Sequence, residues 1–231
     1  MTKGKAVAVA VLLAGLAYGA VTALTERVCP DTGVPPGRER RAALAIRDNV
    51  TPFQKWGSRQ FTAPYLERYY DAAWYFTESD ADDCKGPFLA TLGAALERYP
   101  DVDLYLLAHH NYFLTWVAEL PPGRRGHLRL VYNTGCRDAG QGPWWVQLGA
   151  RAYVGHPGDS MSPVFYFYFL RRWTRGATLG DAVGEANRLM RRALDRMGAV
   201  SLGALDADQV TRDSEAFCYG DDRLRFPGGR D

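Results

Sequence analysis

The stretch from Leu128 to Asp159, LRLVYNTGCRDAGQGPWWVQLGARAYVGHPGD, decides the fold. Leu128 to Tyr132 is an apolar, β-branched and aromatic run that halts at Asn133-Thr134-Gly135-Cys136. A second such run, Ala150 to Gly155, follows a short amphipathic segment. Upstream, DLYLLAHHN makes Asp103 to Ala108 a third run, which halts at His109-His110. Short apolar runs bounded by turn residues read as strands covered on both faces. A His pair past one strand and a Cys past the next have chemical meaning, because in open parallel sheets the loops at the carboxyl ends converge on one crevice.

Outward from this stretch, strand-like and helix-like segments alternate. Arg38 to Arg47 reads as a helix or as a first strand, since Ala42, Leu44 and Ile46 alternate. Asn49 to Gln60 reads as a loop, and Phe61 to Asp71 sets Phe61, Tyr65, Leu66, Tyr69 and Tyr70 near helical spacing. Ala72 to Thr77 (AAWYFT) reads as a short buried strand, stopped by the acidic turn Glu78 to Asp83. Gly86-Pro87 opens a helix through Arg98, with Phe88, Leu89, Leu92, Ala95 and Leu96 as its apolar face. Tyr99-Pro100 ends it, because the residue before proline is pushed out of the helical region. Pro121-Pro122-Gly123 is a turn. Ser160 or Ser162 caps a helix to Trp173, Gly176 terminates it, and Thr178 caps another from Leu179 to Met197. The tail SEAFCYGDDRLRF offers one more short strand. This alternation predicts an α/β fold, a mainly parallel sheet with helices on both faces.

With 231 residues, 47% of them hydrophobic, the chain is long enough for one sizeable core. A formal charge of +2, with arginines in scattered pairs, argues against nucleic acid as a partner. Lys3 and Lys5 precede Ala6 to Leu24, an uncharged run closed by Glu26-Arg27. Residues 1–28 are therefore expected to be a signal peptide or an N-terminal membrane anchor, 29–37 a linker, and 38–231 one globular domain. Either alternative places that domain outside the cytoplasm. Four cysteines (Cys29, Cys84, Cys136, Cys218) permit three fully paired connectivities. None has metal-like spacing, so no metal is expected.

A thiol becomes a useful nucleophile when a nearby imidazole takes its proton and amides hold the developing oxyanion. Cys136 and His110, or His109, supply the two partners, and the amides around Gly135 and Cys136 supply donors. The same residues also suit blander roles: Cys136 as a packed small side chain or half a disulfide, the histidines as loop residues.

The order strand–His, strand–Cys, GARAYVGHPG, a helix, RGATLGDAVGEAN and finally YGDDRLRF resembles the caspase-like cysteine peptidases of the gingipain type and their CHAT relatives. The resemblance spans Asp103 to Phe226 and rests on the order of short motifs. It implies a caspase-like three-layer α/β/α sandwich and a cysteine endopeptidase acting on a peptide or protein, with no cofactor. Cys136 takes the place of that family's nucleophile and His110 of its general base, with His109 as the alternative. Backbone amides of Asn111 and Cys136 would form the oxyanion site. Asn111 stands where the family has Gly, and the His-to-Cys interval is short for it. The alternative is therefore a catalytically inactive caspase-like scaffold that binds a partner at the cell envelope. Nothing in the sequence sets the oligomeric state.

Other residues have two readings each. Asp159 is a candidate for selecting a basic substrate side chain or a cap for the following helix. His156 follows the third strand and reads as facing the same crevice or, preferred, as a solvated loop residue. Trp144-Trp145 read as packing a short helix on the sheet, or one of them as a pocket wall, and the FYFYFL run, Phe165 to Leu170, as core before a ligand platform. Arg171-Arg172 and Arg191-Arg192 read as the wet faces of two helices.

Overall fold

The computed structural model describes residues 37–48, 52–78, 84–107, 112–160, 162–200 and 206–226. The expected signal or anchor, and all of the expected linker except Gly37, lie outside the described residues. Among the described residues, no helix is long and apolar enough to cross a membrane.

The architecture is α/β. Six strands among the described residues form one sheet: β1 (Arg41–Arg47), β2 (Ala72–Thr77), β3 (Asp101–Leu107), β4 (Leu128–Asn133), β5 (Ala152–Gly155) and β6 (Phe217–Gly220). Their order is β2-β1-β3-β4-β5-β6. β1 to β5 pair in parallel and β6 closes one edge antiparallel to β5. The strand alternative for Arg38 to Arg47 therefore holds from Arg41 onward. β1 sits inside the sheet and is buried along its whole length.

Parallel neighbours need long crossovers, normally helical, and this corrects the loop expected at Asn49 to Gln60. Helix α1 (Pro52–Tyr69) already occupies that segment. Proline at its first position has no amide to lose there and a backbone angle preset for a helix. Its far end is anchored by buried Tyr65, Leu66 and Tyr69. β2 also differs from expectation, being half-buried because it lies at the sheet edge.

The remaining helices are α2 (Lys85–Arg98), α3 (Phe113–Ala118), α4 (Gly142–Leu148), α5 (Ser162–Trp173), α6 (Leu179–Val200) and α7 (Ala207–Ser214). α1 packs on α5, α5 on α6 and α6 on α7, whereas α2 meets α3 and α3 meets α4. Right-handed crossovers explain the split: β1 to β2 runs one way across the sheet and β2 to β3 the other, so α1 and α2 cover opposite faces. Gly176, at φ 87°, ends α5, and the Thr178 hydroxyl accepts the Asp181 amide at 3.1 Å to start α6.

The core under α2 to α4 is aliphatic and aromatic: Leu44, Ile46, Leu104 and Leu106 against Phe88, Leu92, Leu96 and Trp145. Burial of each such side chain contributes about 1.5–3 kcal/mol. The opposite face holds a buried ion pair. Arg129 donates from Nε to Asp103 Oδ1 at 2.8 Å and from Nη2 to Oδ2 at 2.5 Å, and the Tyr70 hydroxyl also donates to Asp103. The Phe226 ring lies 4.1 Å from the Arg41 guanidinium and 5.3 Å from that of Arg129, so the chain's last described residue seals this network.

Candidate active site

β3 and β4 are direct neighbours, with Leu106 opposite Asn133 in register. The loop after β4 turns at once, because buried Asn133 accepts the Gly135 amide on its own Oδ1 at 2.9 Å. That short side-chain turn is what Asn supplies cheaply. The Thr134 amide donates to the Leu106 carbonyl at 3.0 Å, tying this loop to the end of β3. Cys136 then stands half-buried with a free thiol.

Loop 156–160 holds Cys136 from the β5 side. The Arg137 amide donates to Gly158 O at 3.0 Å, the Ala139 amide to His156 O at 2.9 Å, and Ser160 Oγ to Thr134 O at 2.8 Å. Arg137 adopts φ 63°, the positive-φ non-glycine residue among those described. The amides of Thr134, Gly135, Arg137 and Ala139 are all engaged. The Cys136 amide has no acceptor among the described residues.

Two buried titratable groups flank this loop. Asp138 is fully buried, and burial pushes its carboxyl up to about 7, with the Asp48 charge adding and the Asn133 side chain opposing. Gln141 Nε2 donates to Asp138 Oδ1 at 3.3 Å, and the Tyr153 hydroxyl to the Asp138 carbonyl at 2.9 Å. His156 corrects the solvated reading. It is fully buried, stacks near Tyr132, and shares its Nδ1 with Ser214 O at 2.8 Å. Since a carbonyl only accepts, Nδ1 carries the hydrogen. Burial lowers the imidazole to about 4, so it is neutral near neutral pH.

Asp159 is exposed and already partnered: Arg137 Nε lies 3.3 Å from its Oδ1. His109, His110 and Asn111 lie outside the described residues, as does Ala108 at the end of the expected strand. Cys218 carries a free thiol that burial pushes up to about 12, and Cys29 lies outside the described residues. Trp145 is buried, stacking 6.2 Å from Tyr153, but its neighbour Trp144 is 61% exposed, so only one of the two packs the helix on the sheet.

Neither the protein-family models nor the curated proteins compared with this chain give a match.

The loop thus presents a free thiol, an unengaged amide on the same residue and, two residues on, a buried carboxyl. Arg137 and Asp138 are not distinctive as site neighbours in the sequence, whereas His156 has a reading there that faces the crevice. The one available signal for Arg137 and Asp138 was their spacing from Cys136. Among the described residues no cluster of metal-ligating side chains is present.

Proposed function

We propose that this chain is a cysteine endopeptidase of the caspase/gingipain-like type, acting outside the cytoplasm, with Cys136 as nucleophile and His110 as base. His109 is the alternative base. The single observation that supports it best is the spared amide of Cys136, in a loop where its neighbours' amides are engaged. A nucleophile whose own N–H is left open provides one oxyanion donor in place. The sheet order supports the rest: β3, which leads into the histidine pair, adjoins β4, which leads into Cys136. Adjacent strands lie about 4.8 Å apart, a spacing that the proposed contact between base and thiol requires. The six-stranded, mainly parallel sheet between two helical layers is compatible with a caspase-like fold.

In this reading His110 takes the Cys136 proton as the thiolate attacks the peptide carbonyl. The amides of Cys136 and Asn111 hold the oxyanion, and His110 returns the proton to the leaving amine. Water then hydrolyses the acyl-enzyme. The test is labelling with a panel of electrophilic peptide probes, comparing the wild type with Cys136→Ala, His110→Ala and His109→Ala. Labelling is expected at Cys136, lost in the alanine variant and slowed by removal of one histidine. Equal labelling of wild type and Cys136→Ala would place the reactive group elsewhere.

A further inference from the structure

Arg137 follows Cys136 directly and adopts a left-handed backbone that is unfavourable for any residue with a Cβ. Its amide is held by Gly158 O at 3.0 Å, which fixes that conformation. The side chain is 75% exposed, and its counter-ion Asp159 is 71% exposed. An ion pair so open to water holds weakly and exchanges partners readily. The planar guanidinium fork is matched in shape to a carboxylate.

We propose that Arg137 is a specificity-determining residue that draws carboxylate groups, as in an acidic peptide, to the β5 side of the Cys136 thiol, with Asp159 as its internal competitor. For its peptide substrate this rests on the peptidase reading; its electrostatic part does not. This reading is the opposite of the expectation that Asp159 selects a basic side chain, and the two predict opposite charge preferences. A cation gains Asp159 only by displacing the Arg137 guanidinium, and an anion gains Arg137 only by displacing Asp159; the two-pronged fit of guanidinium to carboxylate favours the second exchange. The other groups packed around the loop compete little. Asp138 is buried and His156 is buried and neutral.

The test compares two small alkylating agents of similar size and different charge, iodoacetate and iodoacetamide, with modification of Cys136 followed by peptide mass mapping. Guanidinium assistance raises the iodoacetate rate relative to iodoacetamide. Arg137→Gln is expected to lower that ratio roughly threefold at low salt, Arg137→Lys to keep most of it, and Asp159→Asn to raise it by a similar factor. Molar salt should erase the differences. A ratio unchanged by both Arg137→Gln and Asp159→Asn overturns the inference. If Arg137→Gln fails to fold, an unchanged ratio in Asp159→Asn alone overturns it. Quenched peptides carrying Asp or Lys beside the cleaved bond supply the second arm. Cleavage without preference for Asp overturns the substrate assignment. No cleavage of either, with the alkylation ratio still moved, overturns the peptidase reading and leaves the carboxylate preference standing.

Discussion

The Thr134 amide donates to the Leu106 carbonyl at 3.0 Å, joining the loop that carries Cys136 to the strand that leads into the histidine pair. The bond continues the β3–β4 ladder one residue past β4 itself. Whatever the residues after Leu107 do chemically, they depart from a point to which the thiol loop is already fastened. Precision at such a site comes from rigid elements and their supporting hydrogen bonds. Here those elements are β4, buried throughout, and β3, buried from Val102 onward.

The buried pair beneath that platform sets its stability. Asp103 and Arg129 are at most 1% exposed and bonded through both carboxylate oxygens. Asp103→Asn leaves Arg129 charged, buried and unpaired, and is expected to cost about 3–5 kcal/mol. Urea denaturation measures it. Replacing both residues together, Asp103→Leu with Arg129→Met, should recover most of that loss. If the double variant is as unstable as the single one, the cost lies in packing and not in the stranded charge.

Asp138 gives the fold a pH dependence of unusual sign. Burial raises its carboxyl in the folded state to about 7, above the value near 3.9 that the unfolded chain holds. Between those values the folded state binds more protons, so this group removes stability as pH rises and has its full effect above about 7. Asp138→Asn keeps the shape and abolishes the titration. It should melt higher than the wild type at about pH 8, with the gap closing by about pH 5. A constant gap across that range would mean that Asp138 does not titrate there.

His156 acts in the opposite direction. Its folded value, about 4, lies below the unfolded value near 6.5, so its contribution is complete above about 6.5 and is lost as pH falls towards 4. His156→Gln removes that proton uptake. Thermal melts should show the variant less stable than wild type at neutral pH, through loss of the Nδ1–Ser214 bond, and closing on it as the solution is acidified. A variant that loses stability in acid as steeply as the wild type would assign the acid sensitivity to other groups.

Leu128–Asn133 and Asp101–Leu107 announce themselves through the continuous apolar stretches Leu130–Tyr132 and Leu104–Leu107, as strands buried on both faces do, although Asp103 and Arg129 interrupt them and bury only by pairing with each other. The segment Pro52–Gln60 did not, because nothing in its own composition repeats at helical spacing and its helicity follows from the crossover it must make. Helix α7 buries only Thr211 and Ser214, so it offers no apolar stripe. Its signal was the cap, in which Asp206 accepts the Gln209 amide at 2.9 Å. Cys136 was legible by its place after a strand. The burial of His156 was not, because a polar residue in a Gly-Pro loop reads as solvated, and that burial depends on Ser214, which is remote in the chain.

Gly158 donates its amide to Asp213 O at 3.0 Å and accepts the Arg137 amide on its carbonyl at 3.0 Å, so it couples α7 to the Cys136 loop. A Cβ at Gly158 would lie 2.6 Å from the Asp213 Cα, and backbone cannot swing aside as a long side chain can. Gly158→Ala must therefore push α7 away from the 156–160 loop, at a cost of about 1–3 kcal/mol by analogy with overpacked cores. Because the same residue anchors Arg137, the shift reaches the loop that carries the thiol. Hydrogen exchange should show loss of protection at the Arg137 and Ala139 amides together, while the amides of β3 remain protected. Cys136 alkylation should change in rate alongside them. If α7 alone loosens and both loop amides keep their protection, the coupling between helix and thiol loop is not carried by Gly158.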